Sequence, residues 1–211
     1  MIKVHHLGIS QSERIVWLCE ELELPYELVK YDRDPETRLA PAAYKALHPS
    51  GMAPVIEDDG LVLGESGAIV DYIIARHGGG RLAVPAAAPN FPDYLYWYHF
   101  ANGSLVASGM SLLVAGMLGA TAEQLGLVGR RSDTAHQMLE ARLGEVPYLA
   151  GADFTAADIM LVFGLTTMRV FVPRDLTPFP NIRAYLQRIG ARPAYARAMA
   201  KGDPGFTPLL V

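Results

Sequence analysis

The sequence predicts a small α/β domain followed by an all-helical domain, with a break near residue 80. Three observations predict it. Strand-like and helix-like runs follow the order β-α-β-α-β-β-α over about the first 77 residues, glycine and proline crowd between Gly78 and Pro92, and strand signals then nearly vanish. A chain of 211 residues is long enough for two domains of about 100, each burying a core without metals or crosslinks.

The elements follow in order. Residues 2–7 (IKVHHL) are apolar and β-favouring and end at Gly8, which predicts a first strand. From Ser12 onward Ile15, Leu18, Cys19 and Leu22 recur at helical spacing, while Glu13, Glu20, Glu21 and Glu23 fall elsewhere, so an amphipathic helix runs until just before Pro25. Residues 26–31 (YELVKY) predict a second strand, and 41–47 a weaker helix ended by the His48-Pro49-Ser50-Gly51 turn. Residues 54–57 and 61–63 flank Asp58-Asp59-Gly60 as a hairpin, and 66–77 form a third helix. The first domain is therefore 1–78, the linker 79–90 and the helical domain 91–211. Helices are expected there over 91–118, 123–145, 156–172, 181–189 and 193–200. The apolar stretch 105–120 is shorter than a bilayer span and broken by Gly and Ser, so it is read as buried between neighbours.

Bulk chemistry narrows the function. Lysine plus arginine number 18 against 22 acids, a formal charge of -4, and no basic run tracks a phosphate backbone, so nucleic acid is not expected as a partner; nor is a membrane, given the short apolar stretch. The N-terminus lacks the apolar run of a signal peptide, and the one cysteine, Cys19, has no partner for a disulfide or a metal cluster. A reducing, cytoplasmic setting is expected, with Cys19 as core. His5 and His6 alternate across a strand, so at most one faces a site, and neither reads as a metal ligand.

Three local signals carry chemistry. Ser10-Gln11-Ser12-Glu13-Arg14 lies between the first strand and the first helix, where a hydroxyl beside unsatisfied N–H groups and a helix dipole favours an anion such as a thiolate. Plain helix capping by Ser10 or Ser12 is the simpler reading of that position. Gly51-Met52-Ala53-Pro54-Val55 is a turn with proline at a strand start; a cis bond there would turn the Ala53 N–H and C=O outward, toward an extended peptide. An ordinary loop proline is the alternative. Glu65-Ser66 opens the third helix, where Ser66 with its N–H groups suits a carboxylate and Glu65 an ammonium, with capping again the competing role.

Together, these motifs in this order resemble the cytosolic glutathione S-transferase superfamily, in its bacterial, serine-dependent form. The likeness spans the chain: the serine loop, the helix with Arg14 and Trp17, HPSGMAPV, ESGAIVDYI, and FTAADIMLVFGL with Thr155 and Asp158 as a capping box. It implies a thioredoxin-like first domain and a helical second domain carrying a hydrophobic substrate site. It further implies that Ser10, with Ser12 as fallback, hydrogen-bonds the glutathione sulfur, that Met52, Ala53, Pro54, Glu65 and Ser66 bind the tripeptide, and that Arg14 supports the site. Glutathione is then the co-substrate, no metal takes part, and the protein is a homodimer. Tyr98, Asn102, Met110 and Met168 are the candidates for the electrophile site. Met52 departs from the pattern, since many relatives carry a hydrogen-bond donor there; either glutathione binds more weakly, or Arg38 or Lys45 serves its glycine carboxylate. The resemblance leaves two other readings open: a binding protein without turnover, and a glutathione-dependent isomerase, dehalogenase or ether-cleaving enzyme.

Overall fold

The computed structural model describes residues 1–211. The chain divides into two compact units, one formed by residues 1–81 with 191–207 and the other by 82–190 with 208–211.

In the first unit β1 (Ile2–Leu7), β2 (Tyr26–Tyr31), β3 (Val55–Asp58) and β4 (Leu61–Gly64) make one sheet in the order β2-β1-β3-β4. β1 and β2 are parallel, with Ile2 opposite Tyr26 and Leu7 opposite Tyr31, whereas β3 runs antiparallel to both β1 and β4. A parallel pair needs a crossover, and α1 (Glu13–Glu21) supplies it. Asp59 and Gly60, at φ 47° and 85°, turn the hairpin in the positive-φ geometry that tight two-residue loops demand. The helix expected at 41–47 is the single turn α2 (Ala42–Lys45), and α3 spans Ser66–Arg76.

The two faces of β1 are distinct. Leu7 packs with Tyr44 and Val55. On the other face lie Val4 and His6, and the fully buried Ile15, Leu18 and Cys19 of α1 complete that core. Burial, with Glu20 beside it, pushes the Cys19 thiol up to about 12, so Cys19 is an inert core residue, as its position in the helix pattern predicts.

One boundary differs from expectation. The sequence gives every helix after residue 91 to the helical domain, yet α9 (Pro193–Gly202) belongs to the first unit. Trp17 meets Tyr195 edge to face at 4.8 Å between ring centroids, Glu21 accepts two bonds from Arg192 at 2.7 and 2.8 Å, and Glu20 is held by Arg197 and Lys201. Burial alone would raise the Glu20 carboxyl, but hydrogen bonds from Lys201, Tyr26 and Arg197 win and leave it below its ordinary value. These partners stand nearly two hundred residues apart in sequence, beyond any local pattern.

The second unit is all helical. α4 (Phe91–Phe100), α5 (Ala107–Met117), α6 (Ala122–Glu145), α7 (Ala156–Leu165) and α8 (Pro180–Gly190) carry it. A π-helical stretch, Ala101–Val106, joins α4 to α5, so the predicted helix 91–118 is continuous but widened at its middle. Helix 156–172 is shorter than predicted: it stops at Leu165, where the Thr166 hydroxyl donates back to the Val162 carbonyl at 2.8 Å, and a 3-10 turn follows over Thr167–Val170. The expectation that 105–120 is buried is also corrected. Of α5 only Ser108 and Gly109 are buried, and Met117 and Leu118 are about four-fifths exposed. Phe91–Met117 is 27 residues long, long and apolar enough by length and composition alone to cross a membrane.

Candidate active site around the first helix start

β1 delivers the chain into a clamped loop. Ile9 sits at φ 51°, a region a β-branched residue rarely adopts, and the surroundings over-determine it. Its N–H donates to Asp203 Oδ1 at 2.9 Å, while Arg33 donates from Nε to the Gly8 carbonyl at 2.8 Å and from Nη2 to the Ile9 carbonyl at 3.1 Å. The next residue is Ser10, only 5% exposed.

Neither serine caps α1. Ser12 occupies the N-cap position with helical backbone angles and no side-chain bond to the first turn. Its hydroxyl is spent on β1: Leu7 N–H donates to it at 3.1 Å, His6 Nδ1 lies at 2.9 Å, and the Leu7 carbonyl lies at 3.2 Å. Ser10 Oγ donates to the Leu7 carbonyl at 2.7 Å, lies 2.8 Å from Ser12 Oγ and accepts the Ser12 N–H at 3.2 Å. The amides of Glu13, Arg14 and Ile15 bond back to the carbonyls of Ser10, Gln11 and Ser12. The amides of Ser10 and Gln11 make no such bond, so two N–H donors remain beside the Ser10 hydroxyl. Of the two serines, Ser10 is the one beside open donors, and Ser12 is locked inside.

The second part of the site is the start of α3. Glu65, exposed, holds φ 67° and ψ 115°, a conformation strained for any residue but glycine. Ser66 is the first helical residue and is buried. Its hydroxyl accepts from Arg14 Nη1 at 3.1 Å, so it braces α1 against α3. Arg14 also bonds the Gln11 carboxamide, which fits the supporting role the sequence suggests.

The third part is the 51–54 turn. The Ala53–Pro54 bond is cis, Pro54 is buried, and Ala53 makes no backbone hydrogen bond within the chain. Met52 is 67% exposed and its N–H donates to Ser50 Oγ at 3.3 Å. Of the two cations considered for a carboxylate, Lys45 lies beside this turn, where a Cβ on Gly51 would be 3.7 Å from its Cγ. Arg38 instead lines a cavity of about 490 Å³ with His6, Ile9, Arg33 and Asp203.

The electrophile candidates are dispersed. Met168 is buried with Val106, Phe163 and Val172 and presses on Gly109, and Tyr98 is buried against Tyr94. Asn102 is half-buried in the π-helical stretch, and Met110 is 40% exposed. The reading that most such side chains are plain core holds for Tyr98 and Met168.

The sequence does not single out His6 or Asp203, which the structure brings against the serine loop. His5 turns to Glu57 and Tyr31, whereas His6 turns to the serine loop, so the alternation correctly allows one histidine and does not say which. Nothing local marks Asp203; only its place just after a helix end hints at a turn role. No group of three histidine, cysteine, aspartate or glutamate side chains is placed to hold a metal ion.

Comparison with known proteins settles the family. Residues 10–76 match the model for the glutathione S-transferase N-terminal domain, and residues 129–193 match that for the C-terminal domain. The chain is 31% identical over its whole length to glutathione S-transferase 3 of Schizosaccharomyces pombe, covering 91% of that protein. The chain belongs to the glutathione S-transferase family. As a member it is an enzyme, a transferase, with the family's thioredoxin-like first domain and helical second domain. It is also similar to glutathione S-transferase GstB of Escherichia coli K12, at 27% identity over 90% of this chain and 93% of that one. A crystal structure of a glutathione S-transferase from Actinobacillus pleuropneumoniae superposes with a TM-score of 0.88 at 33% identity, covering 96% of this chain and 93% of that one.

Proposed function

We propose that this transferase attacks hydrophobic electrophiles with a glutathione thiolate held by Ser10. The observation that carries the reading is the start of α1, where the Ser10 hydroxyl stands beside the unbonded amides of Ser10 and Gln11. A thiol of pKa near 8.5 is only a few per cent ionised at pH 7; lowering it by about two units, worth roughly 2.7 kcal/mol, makes thiolate the main form. One hydroxyl donor to a charged sulfur supplies about 1.5 to 3 kcal/mol, and the amides with the helix N-terminus add to it. To reach sulfur, the Ser10 hydrogen swings away from the Leu7 carbonyl. The Ala53 peptide pairs with the cysteinyl backbone, and Glu65 with Ser66 takes the γ-glutamyl end. Lys45, beside the turn, takes the glycine carboxylate in place of Met52. Asn102 and Met110, the accessible pair, meet the electrophile, backed by Tyr98 and Met168. The chain works as a cytoplasmic homodimer, and the apolar side chains left exposed on the helical unit, Leu95, Tyr96 and Val114 among them, supply surface for a second copy.

The test is retention on immobilised glutathione together with conjugation of a generic aryl halide. Ser10→Ala is expected to keep retention and lose about a hundredfold in turnover, the usual effect of removing one donor to a developing or resting anion. Full activity in Ser10→Ala would sink the assignment. Met52 favours a second reading, because an exposed thioether cannot donate to glutathione. Retention without turnover toward a broad electrophile panel would establish a binding protein instead.

A further inference from the structure

A chain of hydrogen-bonding groups runs inward from Ser10 that helix geometry does not require. Ser10 Oγ lies 2.8 Å from Ser12 Oγ, which lies 2.9 Å from His6 Nδ1; His6 Nε2 lies 3.1 Å from Asp203 Oδ2. All four side chains are at least nine-tenths buried. His6 Nε2 and Asp203 Oδ2 stand 3.1 Å apart without an aligned hydrogen bond, and neither meets any other hydrogen-bonding group, so a buried ring nitrogen and a buried carboxylate oxygen lie side by side unsatisfied. Glycine makes room for this meeting. A Cβ at Gly202 would stand 3.2 Å from the His6 ring, tighter than side chains usually pack. The other Asp203 oxygen is fixed by the Ile9 N–H, so the carboxylate cannot turn away.

We infer that His6, paired with Asp203, receives the glutathione thiol proton through Ser12 and Ser10. The inference rests on the reading that Ser10 touches the sulfur. The transfer balances. The thiol proton passes to Ser10 Oγ, the Ser10 proton to Ser12 Oγ, and the Ser12 proton to His6 Nδ1, leaving a thiolate and an imidazolium. Afterwards the donors along the relay point outward, Nδ1–H to Ser12, Ser12 to Ser10 and Ser10 to the sulfur, while the Asp203 carboxylate beside Nε2 balances the imidazolium charge. The same groups that carry the proton away are then aligned to hold the anion. His6 and Asp203 are positioning residues that act through the two serines, in the way a carboxylate orients a ring and stabilises its charged form.

The remaining charged groups facing His6 come from β2 and the loop after it. Lys30 is its partner in the sheet register, and Asp32, Arg33 and Arg38 line the same cavity. The cavity also gives the proton a way to solvent after each turnover.

The test is the ultraviolet absorbance of bound glutathione thiolate titrated against pH, with kcat/KM measured over the same range, for wild type, His6→Asn, Asp203→Asn and Ser10→Ala. Asparagine at 6 offers Ser12 a partner but no site for a proton. Its thiolate midpoint is expected to rise by about one to two pH units, with kcat/KM tenfold or more lower at pH 7 and converging on wild type in alkali. Affinity for S-methylglutathione, which has no thiol proton, should be unchanged in both variants. Asp203→Asn keeps an acceptor for the Ile9 N–H and is expected to shift the midpoint in the same direction; it decides the matter alone if His6→Asn does not fold. An unmoved midpoint in a folded variant overturns the relay, as does loss of S-methylglutathione binding that parallels the loss of rate. If the midpoint moves in Ser10→Ala and not in His6→Asn, the relay fails and the role of Ser10 stands; if Ser10→Ala moves nothing, both fail.

Discussion

The starts of α1 and α7 are both marked by a hydroxyl residue, yet they are built to opposite ends. At α7 the helix is closed by its own side chains. Asp158 accepts from the Thr155 N–H at 2.9 Å, the Thr155 hydroxyl at 3.2 Å, the Leu149 N–H at 3.1 Å and the Tyr185 hydroxyl at 3.0 Å. At α1 no side chain caps the helix, and the serine hydroxyls face the strand. The difference is one of partners: α7 starts on side-chain oxygens, whereas the first amides of α1 bond to loop carbonyls and the amides of Ser10 and Gln11, just before it, are left over.

The comparison can be broken or sharpened by measuring folding stability, taken here from the largest expected effect downward. Asp158→Ala strands two buried N–H groups and a tyrosine hydroxyl, each worth about 1 to 3 kcal/mol, so urea unfolding is expected to show a loss of at least 3 kcal/mol. A wild-type midpoint would erase the distinction between the two helix starts. The same carboxyl titrates informatively. Burial pushes Asp158 up to about 6 against the hydrogen bonds it accepts, so its contribution is fully present below about pH 4 and is lost as pH rises through 6. Thermal melts of Asp158→Asn, compared with wild type from pH 4 to 7, should therefore lack one falling component; identical slopes would mean that the carboxyl is ionised throughout.

A milder case is the exposed capping box of α6, where the Gln124 N–H donates to Thr121 Oγ1 at 3.3 Å and the Thr121 N–H to the Gln124 side chain at 2.9 Å. Thr121→Ala should lower stability by about 1 kcal/mol in the same urea assay, and a loss equal to that of Asp158→Ala would show that burial is irrelevant to a cap. The smallest stability change, within about 0.5 kcal/mol, is expected for the exposed, positive-φ Glu65→Gln. Its glutathione affinity by calorimetry should nonetheless fall about tenfold, as expected when a charged partner of an ammonium is removed. Unchanged affinity would take Glu65 out of the site.

Nearly every helix and strand was legible, because strand alternation and helical spacing are local and strong here. β1, α1, the Asp59-Gly60 hairpin and α7 all begin or end within a residue or two of where the turn residues put them. The π-helical stretch at 101–106 was not, since its widening lies among residues that fit an ordinary helical period. In the candidate site, Ser10, Ala53, Pro54 and Glu65 stood out through loop position and spacing. The partners of Ser12 and Ser66 did not. A serine beside a helix can cap it or bond a neighbour, and here β1 brings His6 to Ser12 while α1 brings Arg14 to Ser66. Those choices are made by packing between distant elements, as is the placement of Asp203.

The attachment of α9 to the first unit has a consequence for the order in which the molecule is made. Residues 1–81 emerge early and could assemble their sheet at once, but Trp17 awaits Tyr195, Glu20 awaits Lys201, and the amide of Ile9 awaits Asp203. The loop that presents Ser10 thus reaches its final clamped shape only once residues 193–203 have joined it.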